Sequence, residues 1–312
     1  MATLIIGTDR VATFATACRE FDPGHDIRQW PDVGRAEDIR YALAWGPPAG
    51  ELAKLPNLEL IVSVGAGVDH LMKDPLLPHV PVARFVDADL TGRMVSYVAA
   101  NVLFHHRRMN ELRAQQAAAV WKYLPEPAAH ELTVGIMGLG VLGQACAQAL
   151  LPLGYSLAGW SRTPKGVPDV ACFAGAIGLD AFLGATDILV VLLPLTPDTR
   201  GIIDRKLLAK LRRPKLLPGP VLINAGRGGL QSEQDIVASL DAGELYAASL
   251  DVFTTEPLPP SSPVWGHERI LLTPHIAAES DPRAIARYLI AQIGRKQCGE
   301  PLPNLVDRQR GY

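Results

Sequence analysis

At 312 residues, 48% of them apolar and with a formal net charge of only −2, the chain has the length for two ordinary domains and lacks the composition of a disordered segment. The same near-neutrality excludes the electrostatic footprint of a nucleic-acid binder, and no apolar stretch reaches membrane-spanning length. Cys18, Cys146, Cys172 and Cys298 lie far apart and form no C-x-x-C pair, which points away from a disulfide framework or zinc knuckle and toward a reducing compartment.

The first residues, MATLIIGTDR, open on a strand-like run rather than a signal peptide, so a cytoplasmic protein is expected. Short β-like runs at 4–6, 41–45, 58–64 and 82–85, with the clearest helix at 9–21, alternate as in a parallel sheet covered by helices on both faces. At Val64 the strand runs into GAGVDHL, a Gly-rich turn whose backbone N–H groups suit a small anion. Residues 91–120 contain one glycine, Gly92, and no proline, and predict one long helix or two joined ones, a spine between domains. His105 and His106 on it point about 100° apart, unlike the i, i+4 spacing of a chelating pair, so they read as structural and no metal site is expected. Pro125 and Pro127 mark the connection into a second sheet.

That second sheet is organised by LTVGIMGLGVLG at 132–143, where an apolar run meets Gly138, Gly140 and Gly143 in a G-x-G-x-x-G pattern and opens onto an Ala- and Leu-rich helix. Such a turn suits a dinucleotide: the first glycine bends tightly, the second admits a pyrophosphate, and the third lets helix pack on strand. Strands predicted at 155–160, 187–193, 221–224, 246–250 and 270–272 follow, the last two each preceded by a helical stretch, with Ser232 and Asp235 spaced as an acidic capping box. The basic run at 206–215 reads as a solvated helix end. A final helix at 281–298 and a tail are expected to return to the first domain.

The later strands end in LPLTP, NAGRGG, LDVFTTEP and LTPHIA, and in an open parallel sheet those ends face the ligand crevice. Arg227, Glu256 and His275 lie there. Reducing a 2-oxo acid requires a cation for carboxylate and carbonyl oxygen, which Arg227 supplies through its planar fork. It also requires an acid for the oxygen as hydride reaches C2, which His275 supplies when an anionic neighbour, Glu256, favours its imidazolium form.

NAGRGG, LDVFTTEPLP and LLTPHIAA, with GLGVLG ahead of them, resemble the D-2-hydroxyacid dehydrogenase family over nearly the whole chain. YALAWGPP, VGAGVDHL, GWSRTPK and the ending VDRQRGY are similar to its glyoxylate- and hydroxypyruvate-reducing subgroup. The resemblance implies an α/β protein of two Rossmann-like doubly wound domains with the active site in their cleft, and a homodimer built through the coenzyme domain and its long helix. The expected bounds are 1–98 plus 290–312 for a flavodoxin-like substrate domain and 99–289 for the coenzyme domain. Arg227 would bind substrate, Glu256 orient His275, and His275 donate the proton. Trp45 and the backbone of Ala66 and Gly67 would complete the substrate site. Coenzyme contacts are expected at Gly138, Leu139, Gly140, Val141, Leu142, Gly143, Ser161, Arg162, Thr163, Leu193, Pro194, Ala225 and Asp251, the last beside the nicotinamide carboxamide.

Where the family places an aspartate for the ribose hydroxyl of NAD, this chain has Ser161 followed by Arg162. Loss of the carboxylate removes repulsion of a 2′-phosphate, while the serine hydroxyl and Arg162, with Thr163 and Lys165 nearby, suit it. The expectation is therefore an NADPH-dependent reductase taking glyoxylate to glycolate and hydroxypyruvate to D-glycerate, with NADH the weaker coenzyme. A 3-phosphoglycerate-type dehydrogenase and a non-catalytic nucleotide sensor of the same fold are the alternatives.

Overall fold

The computed structural model describes every residue from Met1 to Tyr312. In chain order it forms β1 (Ala2–Ile6), α1 (Val11–Phe21), β2 (Asp26–Gln29), β3 (Ile39–Ala44), β4 (Leu60–Ser63), the single turn α2 (Asp69–Met72), β5 (Val82–Arg84), α3 (Ala88–His106) and α4 (Met109–Ala117). There follow β6 (Thr133–Met137), α5 (Val141–Leu150), β7 (Ser156–Ser161), β8 (Ala171–Ala174), α6 (Gly175–Gly184), β9 (Ile188–Val191) and α7 (Arg205–Leu208). Last come β10 (Val221–Asn224), α8 (Glu233–Asp241), β11 (Ala247–Leu250), β12 (Ile270–Leu272) and α9 (Pro282–Cys298).

Two compact units result, Met1–Leu90 with Glu279–Tyr312, and Thr91–Ala278. These bounds differ from the expected 98/99 and 289/290 for a packing reason. Met94, Val98 and Val102 of α3 are buried among Val134, Ile136 and Ile188 of the second unit, so nearly all of α3 belongs there. Helix α9, started by Asp281 accepting a hydrogen bond from Ala284 N at 2.8 Å, packs on α1.

In the first unit five parallel strands run in the order β2-β1-β3-β4-β5. β1 and β4 are buried along their whole length, as a parallel sheet covered on both faces requires. β2, with only Ile27 buried, is a polar edge strand and carries no alternation that sequence reading could catch. The tail closes the opposite edge: Arg84 N donates to Asn304 O (3.1 Å) and Val306 N to Val82 O (2.8 Å).

The second unit is a seven-stranded parallel sheet, β12-β11-β10-β9-β6-β7-β8. The chain builds outward from β6 in one direction through β7 and β8, then from β9 in the other. The β6/β9 boundary is thus the topological switch point at which such sheets bind ligands. The predicted spine is two joined helices, broken where Arg108 takes a left-handed φ of 53°. Two sequence expectations change here. No helix precedes β12; the Pro-rich connection from β11 instead covers the sheet with buried Val252, Phe253 and Val264. The capping box is one-sided: Ser232 accepts from Asp235 N, while the Asp235 carboxylate accepts from Arg205 N.

The basic run after α7 is likewise more than a solvated helix end. Arg212 reaches fully buried Asp187, donating Nε to Oδ1 at 2.6 Å and Nη2 to Oδ2, and Thr133 N donates to the same carboxylate at 2.7 Å. That pair ties the starts of β6 and β9 together below the switch point. Arg212→Ala leaves a buried carboxylate without its cation and is expected to cost about 3 kcal/mol of stability, measured by urea unfolding. A loss below about 1 kcal/mol would show that the pair is not what secures this end of the sheet.

Candidate active site

The chain leaves β6 at Gly138 with φ 116°, where a Cβ would stand 2.8 Å from Leu192 O, so no other residue makes this turn unstrained. A Cβ on Gly143 would overlap the Gly138 carbonyl, whereas one on Gly140, which caps α5, would meet nothing within 4 Å. Space is therefore open where backbone at a helix N-terminus can receive a pyrophosphate. Leu139 is buried against Gly159 of β7, and its carbonyl accepts from Gln144 Nε2 (3.0 Å) and Lys165 Nζ (2.7 Å). Val141 and Leu142 open α5, the former exposed. Across the switch point Leu193 and Pro194 follow β9, with Thr199 Oγ1 donating to Pro194 O at 2.7 Å, and Ala225 follows β10 with its N–H on Val191 O at 3.2 Å. These residues fit a dinucleotide.

Ser161 ends β7 opposite Ala174 of β8 and is buried. Its hydroxyl donates to Thr163 O at 2.8 Å, which fixes the turn that carries Arg162 and Thr163. Arg162 and Thr163 lie on the exposed surface of that turn. Lys165 folds back onto the glycine loop through its bond to Leu139 O.

Three strand ends of the same unit present the chemical groups. Gly228 lies so close to the Phe253 carbonyl that any side chain would overlap it, which locks the Arg227 loop onto the segment leading to Glu256. Buried Asn224 holds that loop from within, donating Nδ2 to Gln231 Oε1 (2.7 Å) and accepting from Gly226 N (3.0 Å), while Gln231 Nε2 donates to Val252 O (2.9 Å). Glu256 accepts from Phe253 N at 2.9 Å through Oε1 and faces His275 Nδ1 at 2.7 Å through Oε2. Burial pushes the Glu256 carboxyl up, but the hydrogen bonds from His275 and Phe253 N, with the nearby charges of His275 and Arg227, outweigh it and hold the group below its ordinary value. With Nδ1 engaged, the imidazole retains Nε2 for a substrate oxygen, and about a third of the side chain is exposed.

His275 takes a left-handed φ of 55°, a conformation that costs a non-glycine residue on the order of 1 kcal/mol. Asp251, 1% exposed at the end of β11, holds it there: Oδ1 accepts from Ile276 N (2.9 Å), Oδ2 from Ala277 N (3.0 Å), and its carbonyl from His275 N (2.8 Å). The carboxylate thus turns into the His275 loop.

The remaining residues belong to the first unit. Trp45 follows β3 and stacks obliquely on His70, ring centroids 4.3 Å apart at 53°, over Gly65, whose Cβ would come within 2.7 Å of the indole. Ser63 at the end of β4 donates Oγ to Gly67 O at 3.1 Å, shaping the turn of Ala66 and Gly67. His70 accepts from Gly46 N at 3.0 Å, so its Nε2 carries the proton. Sequence reading missed Asn224, Gln231 and His70. The position of Asn224 immediately before AGRGG was the available signal for the first, and His70 had none.

His105 and His106 are structural, as the sequence predicts. His105 meets Ser249 Oγ at 2.7 Å, and burial lowers its pKa to about 4; His106 spans Tyr155 Oη (2.7 Å) and Pro127 O (2.8 Å).

Residues 99–277 match the family model of the D-isomer specific 2-hydroxyacid dehydrogenase, NAD binding domain. Over 296 residues, 93% of each chain, the sequence is 40% identical to glyoxylate/hydroxypyruvate reductase A of Klebsiella pneumoniae (strain 342). An NADPH-dependent glyoxylate/hydroxypyruvate reductase of Sinorhizobium meliloti, solved with NADP and sulfate, superposes with a TM-score of 0.95 at 43% identity, covering 100% of both chains. A D-isomer specific 2-hydroxyacid dehydrogenase of Xanthobacter autotrophicus Py2, solved with NADPH and MES, gives 0.93 at 40% identity, covering 100% of this chain and 99% of the other. Two parallel α/β sheets, a glycine turn at the switch point and an Arg, Glu and His on successive strand ends are thus joined by likeness over the full chain length, and the protein belongs to the D-isomer specific 2-hydroxyacid dehydrogenase family.

Proposed function

We propose that this chain is an NADPH-dependent reductase of small 2-oxo acids, taking glyoxylate to glycolate and hydroxypyruvate to D-glycerate. The observation that carries the reading is the 2.7 Å contact of His275 Nδ1 with Glu256 Oε2, in a fold unit that also holds Arg227 and a dinucleotide turn. The reduced nicotinamide, when bound, supplies the hydride. Arg227 holds the substrate carboxylate and polarises the 2-oxo group through its two-pronged guanidinium. His275 gives its Nε2 proton to the developing alkoxide, and Glu256 orients the ring and favours its charged form. Trp45 and the Ala66 and Gly67 backbone are the substrate-binding groups that this reading assigns to the first unit. Steady-state rates with a panel of 2-oxo acids, followed at the NADPH absorbance band, test this reading. Binding without turnover would favour a nucleotide sensor, and preference for a phosphorylated 2-oxo acid would favour a 3-phosphoglycerate-type enzyme.

The preference for NADPH over NADH rests on Ser161 and Arg162, with support from relatives solved with NADP or NADPH. A homodimer through the coenzyme unit is supported by Met109, Leu112, Val120, Trp121 and Tyr123, which leave a row of large apolar side chains exposed along α4 and the segment after it. A cytoplasmic location accords with four free cysteines.

Arg227→Lys is expected to lower kcat/KM by about 2 to 4 kcal/mol, because a point ammonium cannot span carboxylate and carbonyl. Activity within about threefold of wild type would remove Arg227 from the site. Glu256, held below its ordinary value of 4.5, stays ionised through the working range and remains the anionic partner of His275. Glu256→Gln therefore moves the alkaline limb of the kcat/KM profile for reduction to lower pH, and an unmoved limb would contradict the pairing. Ser161→Asp with Arg162→Ala should reverse a wild-type preference for NADPH of about tenfold or more, mainly through KM. Equal use of the two coenzymes by the wild type at low salt would contradict the assignment.

A further inference from the structure

Helix α3 is joined to the His275 loop by a directed chain of hydrogen bonds. Thr273 Oγ1 lies 2.6 Å from Asp251 Oδ1 and donates its one proton there, so Tyr97 Oη, 2.8 Å from the same threonine oxygen, must be the donor to Thr273. The order is Tyr97 O–H to Thr273 O–H to the Asp251 carboxylate, which also gathers Ile276 N and Ala277 N and whose backbone carbonyl takes His275 N. We infer that Tyr97 and Thr273 are positioning residues for catalysis, anchoring through Asp251 the loop that aims His275 at the substrate. The inference rests on the proposed role of His275 as proton donor.

Three features argue that this chain orders the loop rather than merely filling the core. First, His275 sits at φ 55°, so the loop does not hold itself in place and relaxes if its tether loosens. Second, the anchor is stiff. Val98 and Val102 of α3 are fully buried in the second unit, and His105, two turns beyond Tyr97 on the same helix face, binds Ser249 Oγ at 2.7 Å on the strand that ends in Asp251. The helix therefore grips β11 at its middle and, through Thr273, at its end. Third, the Tyr97 phenol stays a donor throughout the working range, since burial, above all, raises its pKa to about 12. A proton donor displaced by about 1 Å can lose on the order of a hundredfold in rate, so the deletion of one hydroxyl in this chain should register in turnover.

The test compares Tyr97→Phe, Thr273→Val, Thr273→Ser and the double variant Tyr97→Phe/Thr273→Val with wild type, all in glyoxylate reduction with NADPH. Tyr97→Phe is expected to lower kcat about five- to tenfold with KM for NADPH within about twofold, and Thr273→Val to lower it further. Thr273→Ser, which keeps the hydroxyl, should return to within about threefold of wild type. The double variant should be no worse than Thr273→Val alone, because both changes break one chain. The alkaline limb of the pH profile should move to lower pH in Tyr97→Phe as His275 slackens against Glu256, which a purely structural loss would not produce. A Tyr97→Phe enzyme within about 1.5-fold of wild type, or single effects that multiply in the double variant, would overturn the inference. If Thr273→Val does not fold, Tyr97→Phe and Thr273→Ser decide. A wild type without turnover on 2-oxo acids would instead count against the proposed function, so the two failures are distinguishable.

Discussion

A buried carboxylate must be given hydrogen bonds or it destabilises the fold that buries it, and at Asp251 that demand shapes the loop of His275. The donors come from Thr273, Ile276 and Ala277, the residues flanking His275. Satisfying Asp251 and holding a strained histidine in place are thus a single interaction. Asn224 has the matching role at the end of the neighbouring strand, where its amide organises the turn of Arg227. Adjacent strands β10 and β11 each end in a buried polar side chain whose partners are the loops that bear Arg227 and His275.

The same economy governs the nucleotide end. A parallel sheet buried on both faces leaves little room for polar groups along its strands, so binding groups concentrate where strands stop. At the β6/β9 switch point glycines let the backbone itself serve as the binding surface. At the end of β7 the discrimination we propose between coenzymes is one of charge: the strand ends on Ser161, without a carboxylate, beside exposed Arg162. Electrostatic discrimination of this kind needs no rearrangement, only a missing negative charge.

What was legible in the sequence was local. The glycine turn, the strand-end motifs bearing Arg227, Glu256 and His275, and the unsuitability of His105 and His106 for a metal all follow from spacing within a few residues. Edge strands β2 and β8 were missed because their exposed faces carry no apolar alternation. Where the two joined helices of the spine part was not legible, because a left-handed arginine at 108 leaves no glycine or proline to mark the break. The path from β11 to β12 is not the helix expected ahead of β12, because Pro257, Pro259, Pro260 and Pro263 keep it irregular. Contacts such as Tyr97 with Thr273, 176 residues apart, have no period or motif and become visible only once α3 lies against β11 and β12.

The step we propose for this chain is hydride transfer from NADPH to C2 of a 2-oxo acid. The most direct measurement supplies glyoxylate with NADPH deuterated at the transferred position of nicotinamide C4 and locates the label by mass spectrometry and NMR. The account predicts glycolate with one deuterium at C2, formed at the rate of NADPH consumption. Glycolate without the label, or NADPH that binds and is never consumed, would contradict it.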